Sequence, residues 1–297
     1  MKNFFFILSL SLIILTCDDN LNAESYSFFI AGHTYGKPGM DIVRNGLHPP
    51  FKNRFELIKE NQSIQFGIFL GDIVWESNEE SWNNVDNDLI EIEKPIFFAA
   101  GNHDIENRTL FESRYGQTYY TFIFNNDLFI VLDPNIDNWN ISGDQLVFLK
   151  NVLENNSQFV DNIFVFFHQL LWWSDDNIYQ NLRLNSSQGR AESINFWTEV
   201  EPLFSSLPNN IVMMAGDLGA GNWAHSYMYH NYNNITFIGT GMGECQSSEC
   251  FGNDKGIGSD NFVIINIDKN KVPNYELVAI NRNNINELGQ LKNYVLP

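Results

Sequence analysis

The most informative stretch of this sequence is FFIAGHTYG, residues 28–36. Its apolar first half is typical of a buried β-strand, and the glycine that follows is typical of a tight turn. His33, Thr34 and Tyr35 come directly after that glycine. In α/β proteins, residues beyond the carboxyl ends of strands commonly carry the chemistry. The stretch therefore predicts a buried strand with His33 as a candidate functional residue at its end.

Four further apolar runs end in polar residues and are interpreted as buried strands. They are IQFGIFL (64–70), PIFFAA (95–100), NIFVFFH (162–168) and NIVMMAG (210–216). The polar residues at or just beyond their ends are Asp72, Asn102, His103, Asp104, His168 and Asp217. The order strand, turn glycine, amide, imidazole and carboxylate in AAGNHD is far more specific than a single Gly-Asp pair. These six residues join His33 as candidate site residues.

The remaining elements complete a coarse picture of the fold. Further strand-like segments are 118–124, 127–133, 234–240 and 261–267. Helices are predicted at about 51–60, 143–154 and 192–205, and Ser142 with Gln145 reads as a capping box for the second of them. Many strands with interspersed helices predict an α/β sandwich, in which two sheets pack face to face and helices cover the outside.

In order and spacing, these motifs resemble the calcineurin-like metallophosphoesterases over roughly residues 26–240. The resemblance implies a four-layer sandwich of two packed mixed β-sheets flanked by helices. It also implies two metal ions that share one carboxylate. The family pattern is Asp-x-His, Gly-Asp, Gly-Asn-His-Asp/Glu, a lone His, and Gly-His-x-His.

Five positions match that pattern. The resemblance assigns Asp72 as the bridging carboxylate, Asn102 as an amide ligand and His168 as the lone histidine ligand. It assigns His103 as the catalytic imidazole beside the substrate and Asp104 as the partner that orients it.

The first and last motifs depart from the pattern in opposite directions. His33 stands where the family has Asp, and Asp217 stands where it has His, so a carboxylate and an imidazole have exchanged places. Both side chains bind Mn, Fe or Zn, so the exchange preserves the total ligand charge. Tyr35 and Gly219 stand at two positions where the family has His, and glycine offers no side-chain ligand.

The ligands therefore divide unevenly between the two ions. One site keeps Asp72, Asn102, His168 and Asp217, whereas the other keeps Asp72 and His33, with Tyr35 as an added candidate. We expect one tightly bound transition-metal ion, divalent or trivalent (Mn, Fe or Zn), and a second that is weak or absent. Three further histidines remain to be considered as ligands. His225 is a candidate that could fold back to the site, whereas packing is expected for His48 and His230.

The first residues predict export. Lys2 precedes an apolar run, 4–15, that is too short for a settled transmembrane helix, so 1–17 reads as a signal peptide. The run ends in a segment that resembles a lipobox, with Cys17 as the lipidated residue. An ordinary signal peptide cut near NAES is the alternative. The expected location is the periplasm or the cell surface, with the lipid on Cys17 as the membrane link.

Composition limits the remaining choices. No linker or repeat interrupts 24–297, which predicts a single domain. The formal net charge of −19 repels polyanions, so nucleic acid is not expected as a partner. The family resemblance implies a small phosphoester substrate. In an exported protein Cys245 and Cys250 are expected to form a disulfide, with two free thiols as the alternative. The oligomeric state stays open.

Three functions are compatible with these residues. The first is a metal-dependent phosphoesterase that acts on a phosphomonoester or phosphodiester through a metal-activated water. The second is a family member that has lost hydrolysis and acts as a binding or surface-interaction protein. The third is an enzyme on this scaffold with a different reaction.

Overall fold

Two six-stranded mixed β-sheets form the centre of the computed structural model, which describes residues 25–35, 46–219, 224–243, 260–280 and 289–290. The predicted signal peptide, 1–17, and the predicted disulfide residues Cys245 and Cys250 lie outside these ranges. The strands are β1 Tyr26–Ala31, β2 Ile64–Phe69, β3 Ile96–Phe98, β4 Tyr120–Phe124, β5 Asp127–Val131, β6 Asn162–Phe167, β7 Asn210–Ala215, β8 Tyr227–Tyr232, β9 Ile235–Thr240, β10 Asn261–Ile267, β11 Pro273–Ala279 and β12 Gly289–Gln290.

The first sheet has the order β12-β11-β10-β1-β2-β3 and the second has the order β4-β5-β6-β7-β9-β8. β1, β2 and β3 are parallel to one another, and so are β5, β6, β7 and β9. The outer strands β10, β11, β4 and β8 pair antiparallel to their neighbours. All nine strands predicted from the sequence are found, while β8, β11 and β12 were not predicted.

The helices are α1 Pro49–Lys52, α2 Phe55–Glu60, α3 Glu79–Ile92, α4 Arg108–Tyr115, α5 Gly143–Asn156 and α6 Glu201–Ser205. Apolar residues of α1 to α4 pack with one face of the first sheet. Apolar residues of α5 and α6 pack with one face of the second sheet. Within the described ranges, no helix combines the length and the apolar character needed to cross a bilayer.

Alternation along β1 shows how the layers are built. Phe28 and Ile30 belong to the core between the sheets, whereas Phe29 belongs to the core beneath the helices. The Phe28 ring meets Phe129 and Phe164 of the second sheet edge to face, at centroid distances of 5.3 and 5.1 Å. Strands buried on both faces explain why the runs are apolar without interruption. The predicted four-layer α/β sandwich is confirmed.

The helix predictions were less accurate than the strand predictions. Segment 51–60 is divided into α1 and α2, and the predicted helix at 192–205 begins only at a π-helical turn, Phe196–Val200, followed by α6. α3 was not predicted, although the Asn78 side chain caps it by accepting from the Ser81 N–H at 2.9 Å.

The capping box predicted for α5 is wrong. Ser142 is the N-cap residue, but its side chain caps no N–H and Oγ donates instead to Asp137 Oδ2 at 2.5 Å. Gln145 is buried and bonds the main chain of Asp133: Oε1 accepts from its N–H at 2.6 Å, and Nε2 donates to its C=O at 3.1 Å. The Gln145 side chain therefore bonds the backbone that follows β5 instead of capping α5.

Candidate metal centre

Two sharp turns carry His33 and Asp72 out of neighbouring parallel strands. His33 follows β1 and Asp72 follows β2, and both adopt positive φ, 54° and 52°. The His33 N–H donates to the Gly71 carbonyl at 3.0 Å, and the Tyr35 N–H donates to the Asp72 carbonyl at 3.3 Å. Left-handed backbone at non-glycine residues is uncommon and concentrates at functional sites. The two turns are thus hydrogen-bonded to each other, and the side chains of His33 and Asp72 are buried side by side.

His168 comes from the second sheet, just after β6. Its Nδ1 lies 2.7 Å from the Leu70 carbonyl, which can only accept, so Nδ1 carries the proton. The Nε2 atom is therefore the nitrogen that could ligate an ion, and it lies 3.4 Å from Asp72 Oδ1. A Cβ on Gly216 would lie 2.0 Å from the same Leu70 carbonyl oxygen, so the close approach of the sheets requires glycine there.

Asp72 presents one oxygen to each histidine. Oδ1 lies 3.4 Å from His168 Nε2, and Oδ2 lies 3.3 Å from His33 Nε2. Burial alone would raise the pKa of Asp72, but the imidazoles of His168 and His33 hold it well below its usual range. Asp72 is therefore an anion with an oxygen facing each side, as a shared carboxylate ligand requires.

The two residues that appear exchanged in the sequence lie next to each other in the structure. His33 Nε2 lies 3.5 Å from Asp217 Oδ1. Ligand atoms of His33, His168 and Asp217 all lie within 4.8 Å of one another, and all three side chains are buried. An imidazole and a carboxylate in contact offer the same donor set whichever strand supplies each.

Buried polar atoms without hydrogen bonds test whether this cluster fits a metal ion. Several buried side-chain atoms in the described part of the chain have no hydrogen-bond partner, and three of them lie in this cluster: Asp72 Oδ2, His168 Nε2 and His33 Nδ1. Such atoms are rare in folded proteins because leaving them unpaired is costly. Two of the three are a carboxylate oxygen and an imidazole nitrogen, which are donor types suited to Mn, Fe or Zn. The residues present therefore fit a transition metal.

His103 lies at the edge of the cluster and is partly exposed. Its Nε2 is 4.0 Å from Asp72 Oδ2, and its Nδ1 donates to the Trp75 carbonyl at 2.8 Å. The ring also stacks on the Trp75 indole, with centroids 4.6 Å apart. The imidazole is thus held with Nε2 toward the cluster and toward solvent.

The pairing predicted between Asp104 and the His103 imidazole is not found. Asp104 is fully buried, and its carboxylate accepts the backbone N–H groups of Ile73 (2.8 Å), Val74 (3.2 Å) and Gly101 (2.8 Å). Burial and the Asp72 charge raise its pKa to about 7, against these donors. Asp104 therefore connects the loops that follow β2 and β3. The Trp75 carbonyl orients the His103 imidazole instead, because it accepts from Nδ1.

The other predicted candidates are placed differently. Asn102 is exposed, unlike the four buried residues Asp72, His33, His168 and Asp217. Tyr35 is buried with its ring 5.0 Å from that of His33. Burial, together with the nearby carboxylates, raises the Tyr35 pKa well above its usual range, so the phenol is neutral.

The remaining histidines lie in other networks. His225 Nδ1 accepts the Arg183 N–H at 2.9 Å, so this imidazole supports a loop and is absent from the cluster found among the described residues. His48 contacts Asp260 at 3.2 Å and His230 contacts the Tyr179 hydroxyl at 2.9 Å. The packing roles expected for these two are consistent with those contacts.

One residue of the cluster was missed at the level of sequence. The Asn185 side-chain nitrogen lies 2.9 Å from His33 Nε2 and 3.2 Å from Asp217 Oδ1. It lies in a loop between β6 and α6, outside every recognised motif. In a chain rich in loop asparagines, no local signal distinguishes it.

Comparison with known proteins agrees with this geometry. A sequence model described as calcineurin-like phosphoesterase matches residues 33–202, more than half of the chain. No curated protein sequence matches significantly. Among solved structures, purple acid phosphatase PPD1 from yellow lupin (Lupinus luteus) aligns with a TM-score of 0.62 at 16% identity, over 88% of this chain and 52% of that one.

Two other solved structures align less well. A predicted phosphoesterase from Streptococcus pneumoniae gives a TM-score of 0.38 at 9% identity, over 89% of this chain and 95% of that one. Vps29 from Entamoeba histolytica gives a TM-score of 0.41 at 9% identity, over 90% of this chain and 99% of that one. This chain thus spans about half the length of the lupin enzyme, with which it shares the fold. The matched segment and the fold together show that the chain belongs to the calcineurin-like phosphoesterase family.

Proposed function

We propose that this protein is an exported, metal-dependent phosphoesterase that hydrolyses a phosphomonoester or a phosphodiester. The observation that carries the proposal is that Asp72 Oδ2 and His168 Nε2, two potential ligand atoms of the cluster, are both buried without hydrogen bonds. Metal-dependent ester hydrolysis is expected in this family, and metal binding would explain why these buried atoms have no hydrogen-bond partner. The high negative charge of the chain favours a small substrate over nucleic acid.

Each residue then has a defined part in the chemistry. Asp72, Asn102, His168 and Asp217 would hold one ion tightly, and His33 with Asp72 would hold a second one weakly. A bound Mn, Fe or Zn ion supplies Lewis-acid activation of water and neutralises phosphoryl charge. His103 Nε2, at the exposed edge, would bind a phosphoryl oxygen or protonate the leaving oxygen, while the Trp75 carbonyl fixes the ring at Nδ1.

The test combines a metal count with a substrate panel. The purified protein should contain at least one transition-metal ion per chain and hydrolyse p-nitrophenyl phosphate, bis-p-nitrophenyl phosphate, or both. Asp72→Asn should remove both properties, because a neutral amide cannot serve as the shared anion. Asp144→Asn, an exposed carboxylate in the first turn of α5, is the matched control and should leave both unchanged.

A second candidate function is a binding or surface-interaction protein that has lost hydrolysis. Tyr35 and Gly219 favour it, because they stand at two positions where a histidine ligand is expected. A protein free of metal and inert on the whole panel would support this candidate. A metal-loaded protein inert on all phosphoesters would instead support a different reaction on the same scaffold.

Export is tested separately from chemistry. If Cys17 carries a lipid, the mature protein should fractionate with membranes, and Cys17→Ser should move it to the soluble fraction with its fold intact. Circular dichroism of the released protein is the control for folding. Unchanged fractionation would contradict lipidation and favour the ordinary signal peptide.

A further inference from the structure

Asn185 reaches into the cluster from the loop that follows β6. Its Nδ2 lies 2.9 Å from His33 Nε2 and 3.2 Å from Asp217 Oδ1. Its backbone N–H also donates to the Asp217 carbonyl at 3.3 Å, which fixes the loop against the end of β7. Asn185 therefore connects the two residues whose positions are exchanged relative to the family.

The spacing of these polar atoms is that of ligands around one ion. With metal–ligand distances of about 2.1 Å, neighbouring ligands lie about 3.4 Å apart in a tetrahedron and about 3.0 Å apart in an octahedron. From His33 Nε2, the Asn185 amide, Asp72 Oδ2 and Asp217 Oδ1 lie at 2.9, 3.3 and 3.5 Å. The amide thus occupies a ligand position beside three other donors.

The side-chain amide of Asn185 can direct either Nδ2 or Oδ1 toward His33 and Asp217. A half-turn of the amide group exchanges nitrogen and oxygen with almost no change in shape. In the structure the nitrogen faces His33 Nε2 and Asp217 Oδ1. A cation among the same groups favours the oxygen, since the nitrogen carries no lone pair for it.

We propose that Asn185 is a metal ligand through Oδ1 on the His33 side of the centre. This inference rests on the proposed function to the extent that the cluster binds metal. It deepens that proposal, because the family motifs assign only His33 and Asp72 to this side, although Asp217 Oδ1 also lies 3.5 Å from His33 Nε2. Asn185 supplies the side-chain ligand that Tyr35 and Gly219 do not provide, and it does so from outside the family motifs.

Metal titration of the full chain tests the assignment. The metal-free protein is titrated with Zn²⁺ and with Mn²⁺ by calorimetry, and His33→Ala identifies the binding event on the His33 side. Asn185→Ala should weaken that same event at least about tenfold, since even groups that only support a ligand cost about 10- to 100-fold. Asn185→Asp keeps an oxygen donor at the same place and should retain the event within a few-fold.

Two further measurements separate ligation from a structural role. The visible spectrum of the Co²⁺-loaded protein should change in Asn185→Ala, because the ligand set changes. Gln188→Ala, which removes an exposed amide of the same loop, should match the unmodified protein in spectrum and affinity. Thermal unfolding of each metal-free variant verifies that it is folded.

The outcomes distinguish this inference from the proposed function. An unmodified protein that binds metal and hydrolyses phosphoesters, with Asn185→Ala unchanged in affinity and spectrum, overturns only the assignment of Asn185. If Asn185→Asp binds the metal as weakly as Asn185→Ala does, the amide acts as a hydrogen-bond donor and not as a ligand, which also overturns the assignment. A His33→Ala variant that loses no binding event does the same. An unmodified protein that binds no metal overturns both proposals.

Discussion

His33 and Asp217 are 3.5 Å apart, and their exchange is compatible with the backbone that carries them. His33 has a φ of 54°, a conformation in which Asp, Asn and His are enriched among non-glycine residues. An aspartate can therefore replace His33 without new backbone strain. The compensation inferred from the motifs is thus physically reasonable at the level of single residues.

A double-mutant cycle tests this coupling. His33→Asp alone places a third carboxylate beside Asp72 and Asp217, and Asp217→His alone removes one of the two carboxylates. Each single change should lower metal affinity, and the double change should recover most of the loss, with a coupling energy of about 0.5–3 kcal/mol. Metal titration of the four proteins measures it. A double variant no better than the worse single variant would contradict the coupling.

Gly216 allows the two sheets to approach closely because glycine has no side chain. A Cβ there would overlap the Leu70 carbonyl oxygen, which accepts from His168 Nδ1 at 2.7 Å. Gly216→Ala should therefore displace His168 and lower stability by about 1–3 kcal/mol, as overpacking commonly does. Chemical denaturation and metal titration should both show the loss. A variant with unchanged metal affinity would contradict the link between this contact and the site.

At the scale of elements, α5 stabilises the end of β5 through Gln145 rather than through its own cap. The amide bonds both the N–H and the C=O of Asp133, and that C=O also accepts from the Ile136 N–H at 3.3 Å. The Asp133 carboxylate is paired in turn with Arg108 at the start of α4, at 2.7 Å. Helices on both sheets thus meet at this strand end.

Removal of the amide should be costly for that reason. Gln145→Leu leaves the buried Asp133 N–H unsatisfied and should destabilise the protein by about 1–3 kcal/mol. Asn155→Ala on the same helix removes an exposed amide and should cost far less. Urea unfolding of both variants measures the difference. Equal stabilities would show that water or a local shift satisfies Asp133.

At the scale of the whole molecule, the centre joins the two sheets, because His33 and Asp72 follow strands of the first sheet and His168 and Asp217 follow strands of the second. A bound ion would therefore bridge the two layers. Because an ion that binds only the folded chain stabilises it, metal content and global stability are linked.

Chelation should reveal that linkage. At a free metal concentration 100-fold above Kd, binding adds about 2.7 kcal/mol, which corresponds to roughly 5–10 °C in Tm for a chain of this size. Removal of the metal with EDTA should lower Tm by that amount, and Zn²⁺ or Mn²⁺ should restore it. His168→Ala should abolish the difference, whereas Asp144→Asn should preserve it. A Tm insensitive to chelator in a metal-loaded protein would contradict the linkage.

The strand pattern and most of the candidate site could be predicted from the sequence, because both are local properties. Apolar runs that end in polar residues predict buried strands, and buried strands are found at β1, β2, β6 and β7. The motif order then predicted the family and the four-layer sandwich, and both are confirmed. The helices were harder, because short or irregular ones such as α1, α2 and α6 owe their limits to packing rather than to periodicity.

Only the tertiary structure decided which atoms meet. Asn185 and His33 are 152 residues apart in sequence, and no local pattern links them. The same holds for Gln145, which bonds Asp133 instead of capping its helix, and for Asp104, which bonds the loop backbone instead of His103. The physical reason is common to all three. A buried polar group takes whichever partner the packing brings within hydrogen-bond distance, and residue type and spacing do not specify that partner.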